Sequence, residues 1–292
     1  MRMTTALGAA LALATATCVP EIEVPEWRTQ FGYSLSAFQE LELREFGFPF
    51  VPVEIKGDTL WLPFDTGNMA GLTLGSEEFR GMGLPCSDEW DLLNSAGEVV
   101  STGCTALGVA AVLFGRNRTS LRVLEFFHET LPGLVGPDLL PGTRFTIDYD
   151  SRVLAFDSLR TPSDVPGFVA IPLVRSERHP RLILVEGEVN GRSALFEIDT
   201  GKNRTTVDHL LVEDLSLEPV ETGVVVGRVR LGPREWNVTS ARVVNTAGIS
   251  QGLPSRISLG IGSDVLRGFI FTVDYAAGLL WVEDSTAGAG PS

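Results

Sequence analysis

Leu60-Trp61-Leu62-Pro63-Phe64-Asp65-Thr66-Gly67 returns in altered form as Ala194-Leu195-Phe196-Glu197-Ile198-Asp199-Thr200-Gly201. Each copy is an apolar, strand-like run ending on the same acidic tripeptide. Two acids in matching contexts read as half-sites meant to face each other. Carboxyl groups paired in this way share one proton, and a water held between them can attack an amide carbonyl.

The duplication extends outward from the tripeptides. Lys56-Gly57 precedes the first acid as Asn190-Gly191 precedes the second, and both dipeptides read as tight hairpin turns into the acid-bearing strand. Glu54-Ile55 stands before one turn and Glu188-Val189 before the other. Further on, Gly136-Pro137-Asp138-Leu139-Leu140 and Phe145-Thr146-Ile147-Asp148-Tyr149 match Gly262-Ser263-Asp264-Val265-Leu266 and Phe271-Thr272-Val273-Asp274-Tyr275 at a constant offset of 126 residues. The acids are offset by 134, so the second unit is eight residues shorter between its acid and its glycine block. Three matched blocks in one order read as an internal repeat.

On these motifs the chain resembles the pepsin- and retropepsin-type aspartic proteases, especially their two-lobed bacterial relatives. The family pattern is Asp-Thr/Ser-Gly after an apolar strand, then a later apolar-apolar-Gly motif. Leu134-Val135-Gly136 and Gly260-Ile261-Gly262 stand in the later place, and the likeness covers about residues 46–284. It implies an all-β fold of two homologous β-barrel lobes, related by pseudo-twofold symmetry, with the active site in the cleft between them. It makes Asp65 and Asp199 the catalytic pair, without assigning base and acid. Thr66, Gly67, Thr200 and Gly201 become loop supports, with the threonines hydrogen-bonded across to the opposite loop. Gly136 and Gly262 become the cleft motif. A covering flap is expected around residues 98–108, with Trp90 lining the cleft or belonging to the core. The family carries Ala or Ser after the tripeptide, where this chain has Asn68 and Lys202. Turned inward, the Lys202 cation would favour ionised carboxylates and disturb acid-range catalysis; turned to solvent, it would change little.

A chain of 292 residues holds one large or two medium domains. The formal net charge of −14, with no basic block, argues against a nucleic-acid partner. Residues 1–18 read as an export signal: Arg2, a short apolar run over 7–14, then Ala14-Thr15-Ala16 as a cleavage site. That run is too short to span a membrane, and no other stretch reaches its length, so no transmembrane span is expected in the mature chain. Cys18 is either lost with the signal or lipidated. Cys86 and Cys104 are read either as a disulfide or as two buried thiols.

Residues 19–45 read as a linker or pro-segment, 46–160 as the N-terminal lobe, 168–284 as the C-terminal lobe and 285–292 as a disordered tail. Strands are expected over 48–55 and 59–64, over 98–114 as two strands broken at Gly103 and Gly108, over 120–127 after a turn at 115–118, and over 145–149 paired with 153–156. The second half repeats the order at 182–189, 193–198, 224–231, 236–244, 269–275 and 279–282. Helix is confined to residues 77–82 and a turn at 138–140. Many short strands with glycine turns indicate an all-β fold.

Other candidates are weaker. His128, His179 and His209 are scattered, and Asp208-His209 reads as surface polarity rather than half a triad. Gly260-x-Gly262 lacks the context of a dinucleotide loop. Asp148 and Asp274 read as turn starters, and the sequons at Asn117, Asn203 and Asn237 carry no argument. The expected protein is an exported, monomeric aspartic endopeptidase acting on peptide or protein substrates, with no metal or organic cofactor. One rival is a catalytically inactive peptide- or partner-binding protein on the same scaffold. Another is a structural β-rich envelope lipoprotein.

Overall fold

The computed structural model describes residues 25–34, 37–44, 47–93, 99–127 and 131–283. The export signal, Cys18, His128, the segment 94–98 and the C-terminal tail lie outside them.

The described residues are mostly β-sheet. One eight-stranded sheet is built within residues 42–135 and one seven-stranded sheet within residues 184–261. A six-stranded sheet takes Phe38–Glu40, Val153–Asp157 and Arg144–Asp148 from the first half of the chain. Phe271–Asp274, Leu279–Glu283 and Phe168–Pro172 come from the second. The seam runs between Arg144–Asp148 and Phe271–Asp274. There Thr146 lies opposite Thr272, with Phe145 opposite Val273 and Ile147 opposite Phe271. The Thr146 and Thr272 hydroxyls meet at 2.5 Å.

The two acid-bearing strands form for the same local reason. Pro49–Ile55 turns at Lys56-Gly57 into Asp58–Pro63, and Leu184–Val189 turns at Asn190-Gly191 into Arg192–Ile198. All four turn residues have positive φ, from +51° to +90°. That is the two-residue hairpin geometry whose twist matches the strands, and it suits Asn-Gly and its analogues. Val51, Val53, Ile55 and Leu62 of the first hairpin are buried, as are Val185, Val189, Phe196 and Ile198 of the second. They belong to one continuous apolar core that also takes Phe145, Phe271 and Val273 from the seam.

Several boundaries differ from expectation. Where two strands were expected, Val99–Leu113 is a single strand, because the left-handed Gly108 makes an irregularity rather than a break. The following turn is only Phe114-Gly115, and the next strand resumes at Arg116. The expected strand at 224–231 divides into Gly223–Val225 and Gly227–Leu231, and that at 236–244 into Arg234–Val238 and Arg242–Val244. A helix at His209–Leu215 was not expected; the Asp208 carboxylate caps it by accepting from the Leu210 N–H at 3.0 Å. Within the segment read as linker or pro-segment, Glu26–Gln30 is helical and Trp27, Phe31 and Tyr33 are buried beside Trp281.

Asp148 and Asp274 do begin turns, accepting from the backbone of Ser151 and Ala277. They also clamp remote segments. Asp148 accepts from the Trp27 indole at 2.7 Å, and Asp274 from the Thr161 hydroxyl at 2.6 Å.

Candidate active site

Asp65 and Asp199 follow the ends of their strands and are brought together from 134 residues apart. Each is anchored from behind by the later apolar-apolar-Gly motif. The Asp65 N–H donates to Val135 O at 2.9 Å, and the Asp199 N–H to Ile261 O at 3.0 Å. Phe64 bridges Val135 in parallel, and Arg192–Ile198 runs parallel to Ile257–Ile261. Gly136 and Gly262 sit directly behind the loops. A Cβ on Gly136 would stand 2.4 Å from Asn68 O, and one on Gly262 2.8 Å from Lys202 O, so neither position has room for a side chain.

The loops are locked by reciprocal hydrogen bonds. The Thr66 N–H donates to Thr200 Oγ1 at 3.1 Å, and the Thr200 N–H to Thr66 Oγ1 at 3.0 Å. In turn Thr66 Oγ1 donates to Ile198 O at 2.9 Å and Thr200 Oγ1 to Phe64 O at 2.5 Å. All four bonds are buried, where an unmade bond is expensive. The Gly67 N–H donates to Asp65 Oδ1 at 2.8 Å, and the Gly201 N–H to Asp199 Oδ1 at 2.9 Å. Each glycine also lies against the opposite acid: a Cβ on Gly201 would fall 2.2 Å from Asp65 Cγ, and one on Gly67 2.6 Å from Asp199 Oδ2.

The two carboxyls are within hydrogen-bonding reach of each other. Burial, reinforced by the Asp199 charge, holds Asp65 well above the ordinary carboxylate range, against the opposing Gly67 N–H and Lys202 cation.

The residues after the tripeptides diverge. Asn68 turns back on its own loop, donating to Gly71 O and accepting from the Ala70 N–H, both at 2.9 Å. Lys202 turns inward. Its ammonium donates to Asp199 Oδ2 at 2.6 Å and to Glu197 Oε2. Burial alone would lower the Lys202 value; the Asp199 and Glu197 carboxylates outweigh it and raise it above the usual lysine range. Burial also raises Glu197, with Lys202 opposing. Glu197 was not singled out in the sequence. Its signal was an acid inside a strand otherwise buried from Ala194 onward.

The other sequence candidates lie in ordinary settings. Cys86 and Cys104 are joined as a disulfide. Trp90 packs across its own hairpin, 2.9 Å from where a Gly103 Cβ would stand. Asp208 is held by the Thr246 N–H and hydroxyl and by Arg256, with His209 at its edge. A four-residue helix, Ser263–Leu266, follows Gly260-x-Gly262, and a Gly260 Cβ would meet Thr206 Oγ1 at 2.6 Å. Among the described residues no group of three or more His, Cys, Asp or Glu side chains is placed to hold a metal ion, and no helix is long and apolar enough to cross a membrane.

No protein-family model matches the chain, and a search of curated proteins found no match.

Proposed function

We propose that the protein is an aspartic endopeptidase whose catalytic groups are Asp65 and Asp199. The observation that carries this reading is the contact of two carboxyls, Asp199 buried and Asp65 half-buried, on loops cross-linked by Thr66 and Thr200. Like charges so close cannot both ionise cheaply, so the pair holds one proton across a broad pH range. The ionised carboxyl takes a proton from a water lying between the two, and the hydroxide attacks the amide carbonyl carbon. The protonated carboxyl gives its proton to the carbonyl oxygen. The carboxyl that gained the water's proton then passes it to the nitrogen while the other takes back a proton from a hydroxyl of the tetrahedral intermediate, the C–N bond breaks, and amine and acid leave. The dyad ends with the single proton it started with.

We infer further that the chain is two equivalent lobes about a twofold axis, with substrate bound between them. The opposed Thr146 and Thr272, the exchanged pairs beside them and the reciprocal threonine bonds support this. Both acids lie on one chain, so a monomer is complete. Export to the cell envelope or beyond suits the N-terminal sequence and the Cys86–Cys104 bond. The test is incubation with denatured protein across roughly pH 3 to 8, with and without a peptide carrying a tetrahedral hydroxyl group at the scissile position. Cleavage blocked by that mimic supports the reading.

One observation favours a second reading. Lys202 occupies Asp199 Oδ2, so an inactive peptide-binding protein on the same scaffold would show the same loops. Saturable peptide binding with no cleavage at any pH would select it.

A further inference from the structure

The loop bonds of the two halves are reciprocal, but the charges around them are not. Glu197 and Lys202 stand where the first half has Pro63 and Asn68, and Gly260 where it has Leu134. These three differences make one device. The Lys202 chain passes over Gly260, where a Cβ would lie 3.1 Å from its Nζ, so the first half's leucine would leave it no room. The ammonium ends between Asp199 Oδ2 and Glu197 Oε2. The Glu197 side chain is only 5 % exposed, so Lys202 is the counter-ion that makes its burial tolerable.

Asp199 therefore receives two donors from its own loop, the Gly201 N–H on Oδ1 and Lys202 on Oδ2. Asp65 receives one such donor, the Gly67 N–H, which leaves its other oxygen for the shared proton. Resting on the dyad reading above, we infer that Lys202, seated by Glu197, is a positioning residue that keeps Asp199 as the base carboxylate and leaves the proton on Asp65. Tyr149 also faces Asp199. Its phenol is buried, which raises it out of the working range against the opposing Ser263 hydrogen bond and Arg267 charge. Glu197 offsets the Lys202 charge, so the pair orders the dyad without adding net charge to the site. That answers how an inward lysine is compatible with a one-proton dyad.

The two partners should move the dyad in opposite directions. Lys202→Met leaves an uncompensated anion, disfavours ionisation and shifts both limbs of the pH–kcat/KM profile upward. Glu197→Gln leaves an uncompensated cation and shifts them downward. Each shift is expected to be about one pH unit. Lys202→Arg should restore the native profile in large part. Lys202→Met/Glu197→Gln, which orphans neither charge, serves if Lys202→Met fails to fold, and its profile should lie near the native one. The order of deprotonation is read independently by 13C NMR of the aspartate carboxyls, assigned with Asp65→Asn and Asp199→Asn, which needs no turnover. Asp65 losing its proton last, with the opposite shifts, supports the inference. Asp199 losing it last, or Lys202→Met and Glu197→Gln each with reduced kcat and an unmoved midpoint, overturns it. Native protein that titrates in the inferred order yet cleaves no peptide upholds the proton assignment and sinks the hydrolytic reading instead.

Discussion

Thr200→Val tests the lock between the two acid-bearing loops. The valine keeps the shape and removes one oxygen. That oxygen is fully buried, donates to Phe64 O and accepts from the Thr66 N–H. Both backbone groups would be left without a partner in an apolar setting. Each such orphan costs about 1–3 kcal/mol, so the substitution should destabilise the protein by roughly 2–6 kcal/mol. That is a large part of the stability of an ordinary domain, on the order of 5–15 kcal/mol. Thr66→Val removes the reciprocal pair, to Ile198 O and from the Thr200 N–H, and should cost a similar amount. The single variants break different bonds but loosen the same junction. The double variant should therefore cost less than the two together, with a coupling of about 0.5–3 kcal/mol. Urea unfolding measures the stabilities, and peptide cleavage measures the dyad. Because the same bonds set the carboxyl separation, kcat should fall with stability while KM changes little. Either single variant losing under about 0.5 kcal/mol and keeping native kcat would refute the lock.

Other perturbations reach the same site by separate routes. Gly201→Ala places a methyl 2.2 Å from Asp65 Cγ, so it should abolish cleavage by parting the carboxyls, as activity and a folded circular dichroism spectrum together would record. Replacing Cys86 and Cys104 by alanine opens a crosslink spanning 18 residues and should cost about 3 kcal/mol in thermal or urea unfolding, with the dyad unaffected. Asp65→Asn should change how stability depends on pH. In the native protein Asp65 stays protonated where the unfolded chain has ionised it, so stability falls as pH rises from the ordinary carboxylate range through the raised folded value. The amide removes that slope. The variant should match the native protein in acid and exceed it increasingly toward neutral pH.

Much of the fold was legible because the repeat carries it. Lys56-Gly57 and Asn190-Gly191 specify a left-handed two-residue turn, and the apolar runs after them specify the strand that delivers each aspartate. The symmetric recurrence of Thr66 and Thr200 pointed to the cross-loop bonds that the structure contains. What escaped depended on partners that the repeat does not contain. Lys202 was visible, but its direction depended on Glu197, five positions earlier, and on the space above Gly260, fifty-eight positions later. The helix at His209–Leu215 escaped because two turns give too little periodicity to read; its capping Asp208 was the available cue. The burial of Trp27, Phe31 and Tyr33, within the segment read as linker or pro-segment, was not foreseen, although three aromatics within seven residues suit a buried anchor.

The most direct test compares initial rates of peptide-bond cleavage by the native protein, Asp65→Asn and Asp199→Asn, each purified and shown to be folded. Native protein that cleaves, beside two amide variants whose products stay at the background of a no-protein control, is the predicted result. A variant that cleaves at the native rate would contradict the account, because an amide can neither take water's proton nor share one with its neighbour.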